Sequence, residues 1–257
     1  MCVWFLAYGV DADYPVILAG NRDEFLDRPT LAADFRPDAP EILAGRDEKE
    51  GGTWMGLSRR GRWAFLTNFR DPAAVRPERE SRGHIVSGYL SGSEAPEAWL
   101  SHLSKTADDY NPFNLVAADA SGAFFFSNHA PGISRIPPGV HGFSNSLPDV
   151  SWPKVARGRA ALSQLLEKSP EGPDTSALFR ILSDTRRAPD RELPETGVGL
   201  EFERVLSSIF VQSPVYGTRS STVMLLSRDG RALFLERSFP ACDPAVFTEV
   251  RFDFSMP

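Results

Sequence analysis

Strand-length apolar runs come in pairs at both ends of this chain, and helical periodicity fills the stretch between them. Near the start, Val3–Tyr8 and Val16–Ala19 flank the turn-prone Asp11-Ala12-Asp13-Tyr14-Pro15, a hairpin signal. Thr53–Leu57 and Trp63–Thr67 flank Ser58-Arg59-Arg60-Gly61 and make a second. Pro29, Pro37 and Pro40 punctuate the segment between them, which reads as loop. Arg82–Leu90 and Pro96–Lys105 then carry apolar residues at helix spacing. Ser93 or Glu94 before Ala95-Pro96 suits a helix start. Strands follow at Asn114–Ala118, Ala123–Ser127 and Val140–Ser144. The longest predicted helix covers Pro153–Lys168, and another covers Thr175–Ser183 with Asp174 as N-cap. Residues 185–199 read as a surface loop. The chain closes on Thr222–Leu226 and Ala232–Glu236 around Asp229-Gly230, and on the alternating Thr248–Phe254.

Strands, then helices, then strands with hairpin connections predict antiparallel sheets with helices packed outside, an α+β class. Pattern alone leaves one sheet or two open. With 257 residues, 42% hydrophobic and 24% charged, the chain has core enough for one domain over 1–257. A net charge of −6 without a basic stripe sets nucleic acid aside. The apolar run Val3–Val10 is too short to span a bilayer, and no Lys or Arg precedes it as a signal peptide requires. The reading is a soluble chain. Two cysteines, Cys2 and Cys242, exclude a disulfide framework and fit the cytoplasm, with a single bridge left open. His84, His102, His129 and His141 have no ligand spacing, so no metal is expected.

Two features could carry chemistry. Cys2 follows the initiator Met, which is generally trimmed before a side chain this small. Trimming leaves a thiol nucleophile and an α-amine of pKa about 8 on one residue, so nucleophile and base come together. The competing reading is a small apolar residue opening a buried strand. Asn21-Arg22-Asp23-Glu24 follows the strand Val16–Ala19 and Gly20. An Arg there can orient a thiolate, and an Asp can hold an α-amine. The competing reading is a solvated turn with local ion pairs. Trp54, Trp63 and Phe69 read as core, and Arg59, Arg60 and Arg62 as a solvated hairpin tip. Phe124-Phe125-Phe126 has one outward member by alternation, which suits an interface or a second packed layer.

Met1-Cys2 followed by a strand, then Gly20-Asn21-Arg22-Asp23-Glu24-Phe25, resembles the NRDE family, also called the transport-and-Golgi-organisation-two family. The resemblance continues through Gly51–Gly56, Leu66–Arg70, Ser81–Gly83, Gly142–Asn145 and Tyr216–Thr222, in the family's order. More distantly, the layout is similar to the choloylglycine hydrolase and penicillin V acylase group. That resemblance implies a four-layer αββα sandwich of the N-terminal-nucleophile hydrolase type. It also implies an amidohydrolase that cleaves a small amide or acyl substrate through a Cys2 thioester.

Carried over, Cys2 matches the nucleophile and Arg22 the arginine beside it. Asp23 or Glu24 matches the acid that holds the α-amine, although here the acids follow the arginine at once. Asn68 and Asn145 match oxyanion-hole asparagines, and Arg219 a late arginine near the site. Arg22 and Arg219 would favour thiolate over thiol. No cofactor is implied. The family resemblance also implies an alternative: a non-catalytic carrier or chaperone for haem or an acyl or lipid ligand. A structural partner in vesicle or Golgi organisation is a third reading.

Overall fold

The structure is a computed structural model that describes residues 2–168 and 172–256. In chain order its strands begin with β1 (Cys2–Tyr8), β2 (Val16–Phe25), β3 (Thr30–Phe35), β4 (Ile42–Asp47), β5 (Met55–Ser58) and β6 (Trp63–Asn68). Helices α1 (Gly83–Ser91) and α2 (Pro96–Leu103) precede β7 (Phe113–Asp119), β8 (Gly122–Ser127), β9 (Ile133–Arg135) and β10 (Gly139–Phe143). Then come α3 (Pro153–Lys168), α4 (Thr175–Leu182) and α5 (Leu200–Leu206). The chain ends on β11 (Tyr216–Leu226), β12 (Arg231–Ser238) and β13 (Thr248–Ser255).

These elements group into two compact units, neither a continuous piece of chain. The first comprises 1–27, 137–144 and 148–255, and the second 28–136, 145–147 and 256–257. The first holds an antiparallel sheet in the order β10-β1-β2-β11-β12-β13. Alternate residues Val3, Phe5, Ala7, Ile17 and Ala19 pack with Leu162 of α3 and with Leu178, Phe179 and Leu182 of α4. The intervening Trp4, Leu6 and Leu18 are also fully buried. A strand buried on both faces reads as an unbroken apolar run, which is why β1 is so plain in the sequence. Asp174 caps α4 as expected, its Oδ1 accepting from the Ser176 N–H at 2.8 Å.

The second unit holds an antiparallel sheet in the order β3-β4-β5-β6-β7-β8-β9. One face, including Ala64, Leu66, Leu115, Ala117, Phe124 and Phe126, packs with Ile85, Val86, Tyr89 and Leu90 of α1 and Leu100 and Leu103 of α2. Phe124, Phe125 and Phe126 are all buried, so none is an exposed interface residue. The α+β class is as the sequence predicts: two antiparallel sheets with helices on a face of each.

Several local expectations differ. The segment between the first two hairpins is not loop but β3 and β4, which the prolines bracket rather than interrupt. β9 and α5 were too short to give a periodic signal. Helix α2 takes Ala95 as its N-cap, with no side-chain cap from Ser93 or Glu94. Arg62 is not at a solvated tip. It is 4% exposed, donates to the Tyr89 and Glu94 carbonyls, and lies 4.0 Å over the Tyr89 ring. It thereby satisfies a carbonyl in the last turn of α1, where intrahelical partners run out. Both cysteines are free, so the bridge left open does not form. Among the described residues no helix is long and apolar enough to cross a membrane.

Candidate active site

The Asn21-Arg22-Asp23-Glu24 cluster lies inside β2, not beyond its end, because β2 runs on to Phe25. Polar residues extend this strand because it is paired on both sides. Cys2 of β1 stands opposite Arg22, and Val3 opposite Asn21. On the other side Arg22 faces Ser220 and Asp23 faces Thr218, with the register broken between Thr218 and Ser220 at Arg219. Side chains opposite each other in a ladder share a face. Cys2 and Arg22 therefore lie on one face of the sheet, and Asn21 and Asp23 on the other. Asn21 is a clamp on its face. Its Nδ2 donates to the Leu182 and Ile209 carbonyls, both at 2.9 Å, and its Oδ1 accepts from the Ser221 hydroxyl at 2.6 Å.

Cys2 is 6% exposed, and its carbonyl accepts from the Ser144 hydroxyl. Burial pushes its thiol up. The amino-terminal charge pulls it down, the Asp23 carboxylate pushes it up again, and the Arg22 charge and the Asp23 N–H pull it down. Burial wins, so Arg22 acts in the direction of thiolate without reaching it. Arg219 donates to the Phe25 and Leu26 carbonyls at 2.9 and 2.7 Å and pins the end of β2. Its own pKa is lowered, first by burial and then by the neighbouring Arg22 charge.

Asp23 has no exposed surface. Its Oδ1 accepts from the Thr218 hydroxyl at 2.7 Å, while that hydroxyl accepts from the Val211 N–H at 2.9 Å. Its carbonyl accepts from the Tyr216 hydroxyl at 2.8 Å. Burial pushes the Asp23 carboxyl up, and Lys154 is first among the groups that pull it down, followed by the amino-terminal charge. Glu24 is placed differently: partly exposed, its Oε1 accepts from the Phe25 N–H at 2.9 Å. Of the two acids the sequence left open, Asp23 is the enclosed one.

Sequence reasoning missed Lys154, which is 2% exposed in the first turn of α3. A signal was available. Lys154, Gly158 and Leu162 stand at i, i+4 and i+8, on the stripe that faces the sheet.

Asn68 and Asn145 come together in the second unit. The Asn145 Nδ2 donates to the Asn68 carbonyl at 3.0 Å, and its Oδ1 accepts from Arg70. The Arg70 N–H donates to the Asn145 carbonyl at 2.8 Å. Asn145 is fully buried. Asn68 ends β6, half-buried, and its side-chain amide takes no hydrogen bond among the described residues. Among the described residues no three His, Cys, Asp or Glu side chains gather as a metal site would require.

The family model for Transport and Golgi organisation 2 matches residues 1–241. The chain belongs to this family. The Transport and Golgi organization protein 2 homolog of Bos taurus is 35% identical over 95% of this chain and 93% of its own length. The Homo sapiens homolog is 34% identical over the same shares, and the Drosophila melanogaster protein 27% over 95% and 94%. Among solved structures, a mutant conjugated bile acid hydrolase from Clostridium perfringens is similar with a TM-score of 0.52 at 9% identity. It covers 100% of this chain and 97% of its own. At that identity the likeness shows the fold, which is of the N-terminal-nucleophile hydrolase type.

Proposed function

We propose that this chain is an N-terminal-cysteine amidohydrolase that cleaves a small amide or acyl substrate in the cytoplasm. The observation that carries the reading is the Cys2 environment. A buried thiol stands opposite a buried arginine, with a buried acid next in the strand. Because burial holds the thiol protonated, a nucleophilic role needs a base at hand. Removal of Met1 supplies one on the same residue: the Cys2 α-amine, ordinarily near pKa 8.

In this reading the α-amine takes the thiol proton as Sγ attacks the carbonyl carbon. The tetrahedral intermediate collapses as the α-ammonium gives that proton to the leaving amine, and a Cys2 thioester remains. Water then attacks the thioester with the α-amine as base, which releases the acid and restores the thiol. Arg22 stabilises the developing thiolate, and Asp23 orients the α-amine. The resemblance assigns the oxyanion donors to Asn68 and Asn145, and the uncommitted amide of Asn68 suits that role better. Arg219 supports the end of β2. The shared fold with a hydrolase of conjugated bile acids supports an acyl-transfer reading.

A panel of N-acyl amides tests it. Turnover lost in Cys2→Ala, with an acyl adduct on Cys2 in the parent protein, supports the reading. Turnover that survives Cys2→Ala refutes it.

A further inference from the structure

Lys154 is a costly residue where it stands. It sits in the first turn of α3, where the helix dipole disfavours a cation, and it is 2% exposed. A buried ammonium stabilises a fold less well than an apolar side chain of the same length. Packing alone therefore gives no reason for a lysine. The stripe it occupies, with Gly158 and Leu162, covers the sheet face onto which Asn21 and Asp23 project.

Thr218 accepts from the Val211 N–H, so its own proton goes to the Asp23 Oδ1, which makes that oxygen an acceptor. A carboxylate with no exposed surface, placed beside an α-ammonium, would hold that ammonium and raise its pKa. An amine held in this way is a poor base near neutral pH. A second cation on the same carboxylate removes the difficulty.

We propose that Lys154 is a positioning residue whose ammonium shares the Asp23 carboxylate with the Cys2 α-amine and so keeps that amine in its neutral, basic form. This rests on the amidohydrolase reading and names the group that makes its base competent. The charged and titratable groups acting on this cluster are Arg22 and Glu24 of β2, Cys2 of β1, Arg219 of β11, Cys242 and Lys154 itself. The Lys154 charge draws Asp23 toward its ionised form.

The test follows the α-amine directly. Protein labelled with 15N-cysteine has two cysteine nitrogens, of which only Cys2 can be an amine once Met1 is gone. Its 15N shift is followed against pH in the parent, Lys154→Met and Lys154→Arg, each checked by intact mass and by thermal unfolding. Lys154→Met is expected to raise the amine midpoint by roughly one pH unit or more, and Lys154→Arg to restore the parent value. A purely structural lysine would change unfolding and leave the midpoint in place. An unmoved midpoint in folded Lys154→Met overturns the proposal and leaves the amidohydrolase reading standing. A mass that retains Met1 overturns both.

Discussion

Cys2 and Arg22 face each other across the β1–β2 ladder, at 6% and 4% exposure. The guanidinium is thus a fixed cation on the thiol's own face of the sheet, in a setting that screens charge poorly. Replacement of Arg22 by Met is expected to raise the pH midpoint for Cys2 alkylation by iodoacetamide by roughly one unit. The adduct is located by peptide mass so that Cys242 does not confuse it. An unchanged midpoint would mean that Arg22 is a structural residue only.

The two asparagines should separate by what their loss damages. Asn68→Ala is expected to cost roughly 10²–10³ in kcat on an identified substrate, the range for one oxyanion donor, with little change in stability. Asn145→Ala removes the side-chain hydrogen bonds with Arg70 and the Asn68 carbonyl, so it should destabilise by about 1–3 kcal/mol in urea unfolding. The reverse pattern would exchange their roles.

Gly158 tests the packing of α3. Alanine is the better helix former by about 1 kcal/mol. A Cβ at 158 would overlap the ring of Phe5, which is fully buried and cannot retreat. Gly158→Ala should therefore destabilise by about 1–3 kcal/mol despite the gain in propensity. A more stable variant would show that Phe5 does not sit against this helix.

His141 gives the fold a pH dependence apart from catalysis. Its Nδ1 lies 2.9 Å from Asp149 Oδ2 and its Nε2 2.9 Å from the Pro137 carbonyl, and only the imidazolium can donate to both. The hydrogen bond with Asp149 raises its pKa against the effect of burial. Burial pushes the Asp149 carboxyl up, but the bonds from His141 and the Gly142 N–H outweigh it and leave it lowered. The His141 contribution is complete below about pH 6.5 and fades as pH rises through the raised folded value. The Asp149 contribution is present above about pH 4 and fades as pH falls through the lowered one. The stability difference between parent and His141→Leu should thus be greatest between about pH 4 and 6.5 and shrink above it. A difference constant from pH 5 to 9 would contradict this.

Much of the fold was legible because its strands announce themselves. β1, β6, β7 and β8 are apolar on both faces, and α3 carries a regular stripe. What escaped was set by tertiary pairing. The polar half of β2 has little strand propensity and is a strand because β1 and β11 flank it. β3 and β4 are short and bracketed by prolines, so local signals favoured loop. At the site, Cys2 and the Arg22-Asp23 pair were visible in sequence. The groups that act on Asp23 were not, because Thr218 and Lys154 lie far along the chain, and a lysine is read as solvated by default. Arg62 was misread for the same reason: its partners at Tyr89 and Glu94 are carbonyls, which carry no sequence signal.

The intact mass of the protein purified from its natural host shows whether Cys2 is the amino terminus, as its proposed role of nucleophile and base requires. The expected mass is lower than that of the full sequence by one methionine residue. A mass that retains Met1 would deny Cys2 its α-amine and contradict the amidohydrolase reading.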